Sequence, residues 1–282
     1  MAKSSLSKSG SFWRTDWFAG VAIVLAVVVL HQATDAFDAM ERRFYDFAST
    51  STSRQPSDRI AVIAIDDQSI ANLGRWPWSR DIHAKLIDKL AAAKAKTIAQ
   101  TTFFLEPQVD PGLAFIRKMK LVLTSATDSS AANEQLQQLV AEAEVALDTD
   151  AILATSLKSA GNVLLPSVYT LGEQQGKPDN VLPGFVLKSM IDDPNGYSVS
   201  ANRGQQPIEV IGISAAGIGH LNQSYDSDGY VRQEPLLVNY FGKAVPSMAL
   251  LAAAASLNLT PADIRLNVGE SVQIGKLKIK TD

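Results

Sequence analysis

The sequence predicts an α/β protein in which a single transmembrane helix precedes a domain built on a central mixed, partly parallel sheet flanked by helices. Three features of the sequence predict this fold class. A long apolar stretch lies near the N-terminus, and apolar runs of strand length then alternate with segments of helical periodicity. The segment from Ile264 to Asp282 alternates apolar and polar positions around glycines, which is typical of meandering antiparallel strands.

The apolar stretch predicts an uncleaved membrane anchor over residues 17–34. From Trp17 to Thr34 the chain has no Lys, Arg, Asp or Glu. A helix of that length, at about 1.5 Å per residue, nearly matches the hydrocarbon thickness of a bilayer. A cleaved signal peptide has similar regions, but only the weak cleavage sequence Thr34-Asp35-Ala36 follows.

Positive charge on one side of this stretch predicts its orientation. The basic residues that precede it are Lys3, Lys8 and Arg14. Since basic residues favour the cytoplasmic side, residues 1–16 are expected to be a cytoplasmic tail and everything after the anchor to lie outside. The predicted location is a bacterial inner membrane, crossed once by this stretch of chain, with the following domain in the periplasm or outside the cell.

A stalk and linker are predicted over residues 35–57. Between Ala36 and Phe47 apolar side chains recur at helical spacing, and the segment from Ser49 to Ser57 is polar and breaks the pattern. The extracytoplasmic domain is therefore expected to occupy residues 58–282.

The first part of this domain predicts a βαβ unit. Ile60 to Ile65 is a continuous apolar run of strand length, a helix follows with Ser79 as its N-cap, and Thr97 to Phe104 is a second strand candidate. Two parallel strands joined by a helix should form a right-handed crossover.

The remaining elements follow from periodicity, caps and turns. The predicted helices are an inserted helical segment over 111–147, a helix over 150–158 ended by Gly161, and a helix from Pro246 to Leu257. The predicted strands lie over 162–165, ended by Pro166, and over 217–221 and 230–238, with a C-terminal antiparallel meander after them. The segment over 172–206 is predicted to be rich in loops.

Composition excludes several functions. The formal net charge is −3 and no basic run is interleaved with aromatic residues, so nucleic-acid binding is not expected. The chain has no cysteine, which removes disulfides and thiolate chemistry. No nucleophile elbow, phosphate-binding loop or zinc-protease motif occurs, and we expect no catalytic residue, cofactor or metal ion.

Three carboxylates are candidate ligand contacts. Asp66 and Asp67 follow the first predicted strand, and Glu106 follows the second. Parallel strands would place all three at one edge of the sheet, where open α/β sheets bind ligands. The alternative is structural, with Asp67 capping a short helix and the other acids solvated.

Two tryptophans and an arginine complete the candidate site. Pro77 separates Trp76 from Trp78 and should hold Trp76 extended, so that the two indoles point to opposite sides. One ring could then line a pocket with Arg80 stacked on it, whereas the alternative is that both rings fill a gap in the core.

A second acidic motif, Asp226-Ser227-Asp228-Gly229, is similar to part of a calcium-binding loop but lacks the spacing of that loop's ligands. The twelfth position of an EF-hand loop would be Pro235 instead of Glu. A tight turn between two strands accounts for the motif more simply.

Taken together, these residues resemble the type-two CHASE domain, an extracytoplasmic input module of bacterial adenylate cyclases, histidine kinases and Ser/Thr kinases. The resemblance rests on the segments RIAVIAIDDQSIANLGRWPWSRDIHAKLIDKL (59–90), FFLEP (103–107), DTDAILATSLKSAGNVLLP (148–166), GHLNQSYDSDGYVRQEPLLV (219–238) and PSMALLAAA (246–254). One departure is Thr101, where the family commonly has an acidic residue.

The resemblance implies a membrane-anchored sensory module that detects an environmental ligand and signals to a cytoplasmic output domain beyond this chain. It also implies that the sensor domain continues past residue 282. The expected partners are a small-molecule or environmental ligand, the membrane, and a second copy in a homodimer. The alternatives are a membrane-anchored extracytoplasmic enzyme or scaffold that uses the carboxylates of Asp66, Asp67 and Glu106.

Overall fold

The computed structural model describes residues 15–53, 55, 57–125 and 131–281. They form two compact units, one ending at Asp66 and the other beginning at Asp67. Most of the predicted cytoplasmic tail, with its basic residues, lies outside the described residues.

The first unit contains two helices. Helix α1 spans Asp16–Ala33, and the hydroxyl of Thr15 accepts a hydrogen bond from the Phe18 N–H at its start. It is the one described helix that is long and apolar enough to cross a membrane, and none of it is buried. Helix α2 spans Ala36–Ser51 and carries the apolar residues of the predicted stalk on exposed positions.

The predicted strand from Ile60 to Ile65 is wrong. This segment has no regular secondary structure, and Val62 is 88% exposed. An apolar run becomes a strand only where a neighbouring strand accepts its backbone hydrogen bonds, and that partner cannot be read from the run itself. The predicted βαβ unit and the predicted placement of Asp66 and Asp67 at a strand end fail for the same reason.

The second unit confirms the mixed, partly parallel sheet. Its strands are β1 (Ile98–Ala99), β2 (Val163–Leu171), β3 (Ile191–Asp192), β4 (Val199–Gln205), β5 (Gly217–His220), β6 (Leu237–Tyr240) and β7 (Lys243–Pro246). They lie in the order β1-β2-β4-β6-β7-β3, with β5 also paired to β2. Three pairs are parallel, namely β1 with β2, β2 with β5 and β4 with β6.

Strand β2 is the centre of this sheet. Its first half pairs with β1 and β5, and its second half pairs antiparallel with β4. The strand continues through Pro166, which the sequence predicts as its end. The second half of β2 thus exists because β4 offers it a partner.

The described part of the second unit contains eight α-helices. They are α3 (Asp67–Leu73), α4 (Arg80–Ala92), α5 (Pro111–Ser125), α6 (Ala131–Leu147), α7 (Thr149–Ala160), α8 (Gly184–Leu187), α9 (Glu209–Gly212) and α10 (Met248–Ser256). Helices α4 and α7 pack against each other and place Ile87, Leu153 and Leu157 in the main core. Helix α7 ends at Gly161, which adopts the left-handed conformation that glycine allows (φ 68°).

Helices α4, α5, α6 and α7 confirm the predictions for their segments, whereas several strand predictions are wrong. The segment 172–206 contains β3 and β4, and regular structure over 230–238 is confined to β6 and one isolated bridge. Pro246 ends β7, and helix α10 begins at Met248 after the N-cap Ser247. Strand pairing decided these boundaries, and pairing is non-local.

The C-terminal meander is confirmed. Strands β8 (Ile264–Asn267), β9 (Ser271–Ile274) and β10 (Leu277–Lys280) form a separate antiparallel sheet. Its apolar side chains pack against α10 in a second core cluster that includes Leu250, Leu251 and Ile274.

Candidate functional site

Arg80 joins the beginning of α4 to two other parts of the second unit. Its Nε lies 3.0 Å from Oδ1 of Asp150, and its Nη2 donates to the backbone carbonyl of Glu106 at 2.7 Å. The two side chains of the ion pair are only 13% and 10% exposed. The guanidinium also lies 4.5 Å from the centre of the Phe104 ring. The guanidinium of Arg80 therefore makes its contacts within the fold.

Gln108 completes this network. Its Oε1 accepts from the Arg80 N–H at 2.7 Å and from the Thr149 hydroxyl at 2.9 Å, and its own N–H donates to Oδ2 of Asp150 at 2.9 Å. Both oxygens of Asp150 are thus used. Sequence reasoning missed Gln108 and Asp150, because nothing in the spacing of the chain links three segments so far apart.

An aromatic cluster lies beside the network. The ring centroids of Trp76 and Trp78 are 5.3 Å apart, and His83 packs edge-on against Trp76 at 5.7 Å and Phe104 at 5.4 Å. The prediction that the two indoles point to opposite sides is wrong. A cis peptide bond joins Trp76 to Pro77. Packing both rings against His83 removes more aromatic surface from water than opposite placement would.

His83 is held as a buried, neutral imidazole in this cluster. Burial lowers its pKa below the usual value for histidine, and the positive charge of Arg80 lowers it further, against an opposing effect of Asp81. Its Nδ1 lies 3.0 Å from Nε2 of Gln100.

The six residues predicted as ligand contacts have different environments. Trp78 is buried with its Nε1 donating to the Gly74 carbonyl at 2.8 Å, and Arg80 is engaged as described. Trp76 is half-buried, while Asp67 and Glu106 are exposed. Asp66 is the last residue of the first unit and is exposed there. The structure therefore brings Trp76, Trp78, Arg80 and the Glu106 backbone together.

The Asp226–Gly229 motif forms the predicted tight turn. The Gly229 N–H donates to the Asp226 carbonyl at 2.9 Å, and Gly229, the fourth residue of the turn, has a positive φ of 82°, which glycine adopts readily. Arg232 pairs with Asp226 at 2.6 Å and with Asp228 at 2.8 Å. The flanking residues pair through one isolated bridge instead of two strands.

A cavity of about 470 Å³ lies where β2, β4 and β6 meet, at a place that sequence reasoning did not single out. Its lining includes Tyr169, Tyr240 and the ion pair of Arg203 with Asp179. Burial raises the pKa of both tyrosines, and the charge of Asp179 adds to the rise for Tyr240. Both phenols are therefore hydrogen-bond donors at neutral pH.

Within the described ranges, no group of three or more His, Asp or Glu side chains is arranged to hold a metal ion. The site chemistry consists of one ion pair with its hydrogen-bond network, an aromatic cluster beside it, and a polar cavity. Such groups can bind and orient a ligand.

Comparison with known proteins found one relationship. A family model described as CHASE2 domain matches residues 21–282. No curated protein and no solved structure gave a match. The match includes both the aromatic cluster and the turn at Asp226–Gly229.

Proposed function

Because the chain belongs to the CHASE2 domain family, we propose that it is a membrane-anchored sensory module that detects an environmental ligand and passes the signal to a cytoplasmic output domain. CHASE2 domains are extracytoplasmic sensors and not catalytic domains. The family match, which covers residues 21–282, carries the proposal.

The proposed topology has a cytoplasmic tail over residues 1–16, an inner-membrane anchor over 17–34, a stalk and linker over 35–57 and the sensor domain from residue 58, in the periplasm or outside a bacterial cell. The apolar and unburied helix α1 supports the anchor. The position of the basic residues before it supports the orientation.

A sensor acts by binding its ligand more tightly in one of two conformations, so that ligand shifts their populations. We propose that the ligand contacts the surface around Asp67, Trp76 and Glu106. Two observations support this surface: Asp67 and Glu106 are exposed and Trp76 is half-buried, and the neighbouring Trp78 and Arg80 are held by contacts within the fold. The cavity beside Tyr240 is the competing location.

Thermal unfolding of the full chain in detergent would test the proposal. The probes are the free amino acids, common mono- and disaccharides and divalent cations, screened one at a time. A bound probe should raise the melting temperature according to its concentration and Kd. If the proposed surface is correct, Asp67→Asn should abolish that rise with the melting temperature of the unliganded chain nearly unchanged.

Tyr240→Phe is the matched control, since it removes one hydroxyl from the cavity and leaves the proposed surface intact. A probe whose effect is lost in Tyr240→Phe and kept in Asp67→Asn would place the ligand in the cavity instead.

We also propose that two copies associate, because a membrane receptor can transmit a signal through a change in the arrangement of its copies. Light scattering on the detergent-solubilised chain should then give the mass of two copies.

A further inference from the structure

Helices α5 and α6 form an antiparallel hairpin whose apolar side chains are largely exposed in the described chain, although the Lys118 ammonium lies 5.8 Å from the centre of the Phe115 ring. Within α5, Phe115 and Val122 are 67% and 68% exposed, and Met119 between them is also exposed. Their spacing of four and then three residues places all three on one stripe of the helix. Helix α6 exposes Leu136 and Leu139 in the same way.

Exposed apolar stripes of this kind are typical of interaction surfaces. Isolated apolar residues on a surface need no explanation, but a stripe at coiled-coil spacing on a helical hairpin is a surface suited to another helix. The question is which partner covers it.

The charges of the two helices identify the partner. Helix α5 carries Arg117, Lys118 and Lys120 and no acidic residue, whereas α6 carries Glu134, Glu142 and Glu144 and no basic residue. Within the hairpin, Glu144 pairs with Lys120 at 2.6 Å and with Arg117 at 3.4 Å. The hairpin thus has one basic and one acidic helix side by side.

We propose that this hairpin binds the hairpin of a second copy of the chain, with α5 of each copy beside α6 of the other in a four-helix arrangement. A two-fold axis presents the same surface of both copies to each other, so a surface with adjacent basic and acidic helices is complementary to itself. The apolar stripes are buried at the centre, and Lys118 of one copy faces the acidic helix of the other.

A lipid surface fits the hairpin less well. Helices that lie on membranes carry Lys and Arg on their polar face and are attracted by anionic lipid. Helix α6, with its three glutamates and no basic residue, would be repelled.

The inference rests on the proposed homodimer and adds the surface that forms it. The absence of cysteine from the sequence allows a direct test on the full chain in detergent. Met119→Cys places a thiol in the middle of the α5 stripe, and Val181→Cys, at an 88% exposed position outside the hairpin, is the matched control. A short bis-maleimide should give about tenfold more covalent dimer with Met119→Cys, since association raises the effective concentration of the two thiols.

Two further variants test the chemistry of the surface. In the Met119→Cys chain, Val122→Asp should reduce cross-linking about tenfold, because each copy would bury a charge. Lys118→Glu should reduce it too, and adding Glu142→Lys to the same chain should restore it. Circular dichroism identifies a variant that fails to fold. If Val122→Asp fails to fold, the decisive comparison is the cross-linking of Lys118→Glu with and without Glu142→Lys.

The outcomes separate the inference from the proposed function. A chain with the mass of two copies whose Met119→Cys variant cross-links no better than Val181→Cys retains the homodimer and overturns this surface. A chain with the mass of one copy overturns both. In a third outcome, Met119→Cys cross-links only at the control level, and its thiol is protected only when anionic vesicles are added. That result would assign the hairpin to lipid and would also overturn the proposal.

Discussion

The guanidinium of Arg80 and the carboxylate of Asp150 form an ion pair with an Nε–Oδ1 distance of 3.0 Å, across seventy positions of sequence. It ties the first residue of α4 to the first turn of α7. Both oxygens of Asp150 and three groups of Arg80 have partners within the fold. This pair therefore sets the position of the loop that contains Glu106.

Arg80→Ala should lower the free energy of unfolding by about 3 kcal/mol, because it leaves the carboxylate of Asp150 without its charged partner in a mostly buried place. Chemical denaturation of the full chain measures the change. Lys85→Ala is the control, since Lys85 pairs with Asp81 one turn further along α4 in an exposed position and should cost less than about 0.5 kcal/mol. Equal losses in the two variants would contradict a special role for Arg80.

Acid should destabilise the second unit through His220. This histidine is buried in β5, its Nδ1 accepts from the Asn222 N–H at 3.2 Å, and burial lowers its pKa to about 4. In the unfolded chain the imidazole of His220 binds a proton near pH 6.5, whereas in the folded chain it does so only near pH 4. The contribution of neutral His220 to the free energy of unfolding is therefore complete above pH 6.5 and is lost as the pH falls towards 4. The full loss is about 3 kcal/mol on the linkage relation.

Unfolding free energies measured between pH 7 and pH 4 test this expectation. His220→Gln should show a shallower decline, with the remainder due in part to His83, whose pKa burial also lowers. An unchanged decline in His220→Gln would mean that His220 does not titrate in this range.

Gly219→Ala should destabilise the fold by about 1 to 3 kcal/mol, the usual cost of forcing an extra methyl into a tight contact. A Cβ at this position would lie 2.9 Å from the backbone of Met248, so β5 and α10 would have to separate. Gly184→Ala is the matched control because a Cβ there meets no atom within 4 Å. Thermal unfolding compares the two, and a Gly219→Ala chain as stable as Gly184→Ala would show that the contact yields easily.

Reporter fusions should give opposite results on the two sides of α1. Alkaline phosphatase, which is active only outside the cytoplasm, should be active when fused after Thr281 and inactive when fused after Thr15. The reason is the position of the basic residues before the apolar helix. Activity confined to the Thr15 fusion would reverse the proposed orientation.

The sequence by itself determined the longer helices and the family. Helix α4 begins after Ser79 and α7 ends at Gly161, as their periodicity and cap residues predict, because the hydrogen bonds and caps of a helix lie within a few residues of one another. The same holds for the apolar helix α1 and for the C-terminal meander, whose strands pair with their immediate neighbours in sequence. The motif segments were sufficient to indicate the CHASE domain.

Only the tertiary structure decided which apolar runs become strands and which polar groups meet. Ile60 to Ile65 has the composition of a buried strand and forms none, whereas the loop-rich segment before Gln206 supplies β4 because β2 and β6 lie on either side of it. Asp150 and Arg80 likewise meet only when α7 packs on α4. A strand's hydrogen bonds and a buried carboxylate's partner come from distant parts of the chain, so no local pattern of residues records them.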